Sequence, residues 1–116
     1  MRRTDDHAQH IAQQVHRHHP QAAHAVPAFA RRMRAGVLGA WTDLMGEAHH
    51  HPDPQQRAAS VALRDGLAPW FQDQGALDAE PRTVLEWLIT IEDREGQLLR
   101  QRLHAVLDRL HPAPTT

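Results

Sequence analysis

The chain has no cysteine, lysine, asparagine or tyrosine. Without cysteine there is no disulfide framework, no thiolate metal site and no cysteine nucleophile. Lysine, asparagine and tyrosine have AT-rich codons, whereas the alanine, arginine and proline found here have GC-rich ones. A high-GC bacterial genome, or a phage of such a host, therefore accounts for a basic set made only of arginine. That set is not a mark of nucleic-acid recognition. Ser60 is the sole serine, within a helical pattern whose neighbours offer no general base, and the glycines are too dispersed for a phosphate-cradling loop. No enzymatic signature is present. No apolar run approaches the length that spans a bilayer, and the N-terminal Met1-Arg2-Arg3-Thr4-Asp5-Asp6 lacks the apolar run of a signal peptide. The expectation is a cytoplasmic protein with no membrane partner.

What remains is a chain of 116 residues, 41% hydrophobic and 23% charged, the composition of one folded helical domain over 1–116 with a flexible tail at 112–116. Aromatic residues are few, namely Phe29, Trp41, Trp70, Phe71 and Trp87, so Leu, Val, Ala and Met must supply most of the core. Charge is uneven. Residues 1–58 hold seven Arg against five acids, net +2, and residues 59–116 hold six Arg against nine acids, net −3. Nine of the eleven histidines lie in the first half, which becomes strongly positive as imidazoles protonate near pH ~6.5.

Strand-like alternation is almost absent, while helical spacing recurs. The pattern predicts an all-α bundle of about four antiparallel helices. The first covers about residues 5–19, with Thr4 as cap and Ala8, Ile11 and Val15 on one face, and Pro20 ends or kinks it. Residues 20–26 read as a short turn or linker. The second helix runs from near Pro27 to His50 on a stripe of Met33, Val37, Trp41, Leu44 and Ala48. Asp53-Pro54 opens the third as cap and first residue, with Pro69 expected to kink or divide it before Gln74-Gly75. Asp78 is expected to cap a long last helix reaching about Leu110. At 1.5 Å per residue that rod is roughly 45–50 Å long, more than a compact chain of this size can cover. Either Gly96 breaks it, or its end packs on a second copy; a homodimer through this helix is the expectation.

The most unusual chemistry lies on that last helix. Val84, Leu85, Leu88, Ile91, Leu99, Leu103, Val106 and Leu110 share one broad face. At 100° per residue Glu95 falls about 20° and Glu92 about 40° from Leu88. Carboxylates on a buried stripe cost several kcal/mol unless paired, protonated or metal-bound. They are an inward pair, as in carboxylate-bridged metal bundles, or else the helix turns them outward, where Arg94, Arg100 or Arg102 neutralises them. Glu47 and His50 have the i, i+3 spacing that places two ligands on one metal in di-iron bundles. The set Glu47, His50, Glu92 and Glu95 is thus a candidate site for iron, zinc or nickel. The pattern is partial: there is one Glu-x-x-His, the third helix offers no Glu or His, and Glu47 sits at the margin of its apolar face. His7 and His10 share a helical face and form a second possible chelate.

Arg31, Arg32 and Arg34 make a small basic patch, read as a solvated face, because no recognition helix of suitable charge follows. Trp70, Phe71 and Trp87 form either a packed corner or, if exposed, a partner-binding patch. The function expected is a non-enzymatic interaction or regulatory module, homodimeric, acting on an unknown protein partner. The alternative is a metal-binding bundle with inward Glu and His ligands.

Overall fold

A computed structural model describes residues 3–91 and 93–110. Among them are six α-helices, two 3₁₀ segments and no strand. The helices are α1 (Arg3–His18), α2 (Val26–Arg32), α3 (Val37–His50), α4 (Pro54–Asp73), α5 (Pro81–Thr90) and α6 (Asp93–Leu110), and the 3₁₀ segments are Pro20–Ala25 and Met33–Ala35. The all-α expectation holds; the count of about four does not, because two of the expected rods are each divided.

The first division is at Gly36. Its φ of 127° and ψ of 154° lie where only glycine is comfortable, so the expected helix from Pro27 to His50 stops in a 3₁₀ turn and restarts as α3. The second division corrects the long last helix. Ile91 is extended, with φ −77° and ψ 144°, which ends α5. Asp93 and Glu95 then occupy the first turn of α6, where acids favour the positive end of the helix dipole. Gly96, the expected break, lies inside α6. The longest principal extent is 35 Å, too short for one straight rod but ample for an 18-residue α6 of about 27 Å. Helix length therefore no longer argues for a second copy.

Elsewhere the local signals act as the residues suggest. Asp53 caps α4 by accepting from the backbone N–H of Gln55 at 2.9 Å, with Pro54 at the first helical position. Asp53→Ala is expected to lower stability by about 1 kcal/mol, read as a shift in the urea midpoint at unchanged slope. Pro69 does not divide α4. It is exposed, so the Asp65 carbonyl that loses its backbone donor is on a side of the helix open to water. α1 starts at Arg3, upstream of the expected Thr4 cap. Asp78 accepts from the Glu80 N–H at 3.0 Å, and Glu80 itself is the residue before α5.

One cluster forms the core. α1 buries Ala8, Ile11, Ala12 and Val15 against α4 and α6. Its approach to α4 depends on Gly66, where an added Cβ would lie 3.1 Å from Val15 Cγ2. α4 also packs on α3 and on the Pro20–Ala25 segment. α6 contributes Leu99, Leu103, Val106, Leu107 and Leu110.

Candidate interaction surface at the α5–α6 corner

Among the described residues, those singled out for metal binding do not converge. Glu47 is half-buried and ion-paired with Arg32 of α2, which also approaches Asp43 at 3.8 Å. A cation already holds that carboxylate. His50 is exposed at the end of α3, its ring 6.0 Å from that of His49. Glu95 is exposed, which corrects the reading of an inward acid: it stands in the first turn of α6, one turn before Leu99, the first buried residue of that helix. Glu92 lies outside the described residues. His7 is half-buried, with Nε2 3.9 Å from an Asp73 oxygen, while His10 is exposed. Among the described residues no three His, Asp or Glu side chains are placed to hold a metal ion. Residues 112–116, read as a flexible tail, also lie outside the described residues.

Of the two readings of the aromatic corner, the packed one holds for Trp70 and Phe71, which are not a partner-binding patch. Trp70 and Phe71 are 1% and 0% exposed, so they are core, and only Trp87 is half-buried. Phe71 lies edge-on to Trp41 and Trp70, with centroids 4.9 Å away in both cases, and 6.3 Å from Trp87. The Trp41 indole N–H donates to the Pro81 carbonyl at 2.9 Å, tying α3 to the start of α5. Trp41, Trp70 and Phe71 hold α5 in place from the core, and only Trp87 of this cluster reaches the surface.

The surface that is apolar and open lies beside them, where α5 gives way to α6. Val84 and Leu88 turn inward, whereas Ile89, about 100° further round α5, is 65% exposed. Leu98 on α6 is 46% exposed and Leu38 at the start of α3 is 39% exposed. Two shallow grooves flank the corner and share Ile91 as a wall. One, of about 370 Å³, runs past Leu38, Leu88 and Ile89 to Asp93 and Arg100. The other, of about 340 Å³, is floored by Trp87, Leu98 and Leu99 and edged by Glu95 and Arg102. Arg102 donates to Gln74 Oε1 at 3.1 Å, which fixes the guanidinium at the groove edge. The sequence signal for this face was present but weak: Ile89 and Leu98 are apolar residues standing off their helices' buried stripes.

Another depression, of about 710 Å³, lies between the Pro20–Ala25 segment and α4 and is lined by His18, His19, Arg57, Val61 and Asp65. Asp65 pairs with Arg64, and Arg57 donates to the His51 carbonyl at 2.9 Å. Ser60 is buried inside α4, away from any substrate. No nucleophile with an adjacent base lines the depression. Among the described residues no helix is long and apolar enough to cross a membrane. No protein family, curated protein or solved structure matches the chain.

Proposed function

We propose that the protein is a non-enzymatic interaction module that associates with itself through the α5–α6 corner. The observation that carries this reading is the open apolar face of Leu38, Ile89 and Leu98 around a fixed helical break. Scattered exposed apolar side chains are ordinary, but a set gathered on adjoining grooves and rimmed by charge marks a contact surface. The rings of Trp41, Phe71 and Trp87 anchor α5 from below, so the face is presented on a rigid support and little order is lost on docking.

The metal-binding alternative draws no support from geometry, since among the described residues its ligands are dispersed or already paired. Sedimentation equilibrium of the untagged full chain tests the interaction reading. A dimer is expected, and Ile89→Lys with Leu98→Lys is expected to convert it to monomer while leaving helix content unchanged. Prior treatment with a chelator is expected to change neither mass nor melting temperature. A wild-type chain that stays monomeric at about 1 mM, a concentration at which even millimolar-affinity pairs assemble appreciably, would sink the proposal.

A further inference from the structure

Helix α6 carries a charge order that fits one partner in particular. Asp93 and Arg100 border one groove of the corner, and Glu95 and Arg102 border the other. On each edge the acid comes first and the base follows seven residues later, about 10.5 Å along the helix. That gap is too long for the two charges on one edge to meet within the chain. None of the four makes an ion pair among the described residues. Asp93, Glu95 and Arg102 are exposed and Arg100 is half-buried. Between the two edges Arg94, Gln97, Leu98 and Gln101 face outward, opposite the buried side formed by Leu99, Leu103 and Val106.

We propose that α6 is the seam of a two-fold homodimer, lying antiparallel against α6 of a second copy with the dyad near Gln97 and Leu98. This rests on the interaction reading above and specifies its partner and geometry. A two-fold interface must be self-complementary, since the same patch faces itself. A dyad perpendicular to α6 lays each edge on its own reversed copy. Asp93 then faces Arg100 of the copy and Glu95 faces Arg102, each twice, giving four crossed acid–base pairs. The outward centre meets the same test, because Arg94 lies opposite Gln101 of the copy and no like charges are stacked. A parallel arrangement would set acid against acid and base against base. Charge order thus selects both a second copy and its direction.

The seam alone is narrow. A helix of about 27 Å by 10 Å falls well short of the roughly 800 Å² per partner of a stable interface. Ile89 and Leu38 adjoin the Asp93–Arg100 edge, and Trp87 and Ile91 adjoin the Glu95–Arg102 edge, so apolar surface continues on both flanks. The ionic edges set orientation, and the flanks supply area.

The test is charge reversal in two complementary variants of the full chain. Asp93→Arg with Glu95→Arg makes all four edge positions basic, and Arg100→Glu with Arg102→Glu makes them all acidic. Each variant alone is expected to self-associate at least tenfold more weakly than wild type, and an equimolar mixture is expected to recover a heterodimer of near wild-type affinity. The second variant leaves the first turn of α6 untouched, and circular dichroism checks that both are folded. Loss of a merely structural role for the acids at the helix start would not be rescued by mixing. If wild type dimerises and either variant alone does so equally well, or the mixture fails to assemble, the antiparallel α6 seam is wrong. The broader reading then stands or falls with the Ile89→Lys, Leu98→Lys variant. A monomeric wild type overturns both.

Discussion

Phe71→Ala is expected to lower the melting temperature by about 10–20 °C. Truncating a fully buried phenylalanine removes its transfer free energy and leaves a cavity, together about 3–5 kcal/mol, and in a domain of this size each kcal/mol is worth a few degrees. The upper half of that range is expected here because the ring touches three others: Trp41, Trp70 and Trp87 all have centroids within 6.3 Å of it. Those are the only tryptophans in the chain. The folded variant should therefore show an altered emission spectrum at temperatures well below its transition. Phe29→Ala serves as the control, since Phe29 is equally buried but has no ring contact with a tryptophan. It should destabilise with little change in native-state emission. A Phe71→Ala variant that melts within about 3 °C of wild type would remove the ring cluster as the support of α5.

Two glycines three residues apart are expected to respond in opposite directions to the same substitution. Gly36→Ala costs about 1–3 kcal/mol because alanine must adopt φ near 127°. Space is not the cause, for nothing lies within 4 Å of a Cβ built there. Gly39 also has open space around its Cβ position, but it sits inside α3 with helical backbone. Gly39→Ala should stabilise by about 0.5–1 kcal/mol through helix propensity. Denaturant midpoints of the pair give the comparison directly. Destabilisation by both, or by neither, would place the helix boundary elsewhere than Gly36.

The break at Gly36 shows how a regular hydrophobic pattern misleads. Met33, Val37, Trp41 and Leu44 keep helical spacing straight through the junction, and all four are buried. Periodicity survives because the 3₁₀ turn and the restart preserve which side faces the core, although the axis does not continue. The same holds at Ile91. Val84, Leu88, Leu99 and Leu103 are all buried as the stripe predicts, yet they belong to two helices. The acid on that stripe is exposed all the same: Glu95 lies in the first turn of α6, one turn before Leu99, where that helix first enters the core. The start of α4 was better marked, since Asp53-Pro54 carries its meaning within two residues.

The candidate surface was harder to read. Trp70 and Phe71 drew attention as large aromatic neighbours, but consecutive residues on a helix diverge by about 100°. Only a helix covered on two sides buries both, as α4 is by α1, α3, α5 and the Pro20–Ala25 segment. Ile89 and Leu98 are lesser side chains in polar surroundings, and their exposure depends on which neighbours α5 and α6 find. Leu38 belongs to the same face although more than fifty positions precede Ile89 in the chain.

By itself the order of residues determined the all-helical class, most of the buried positions and the start of α4, because those depend on spacing and on side-chain-to-backbone contacts within one or two turns. Tertiary structure alone decided where the long rods bend, that Glu47 meets Arg32, and that Leu38, Ile89 and Leu98 share a surface. Each of these follows from elements distant in sequence competing for one limited core volume, and no local pattern records the outcome of that competition.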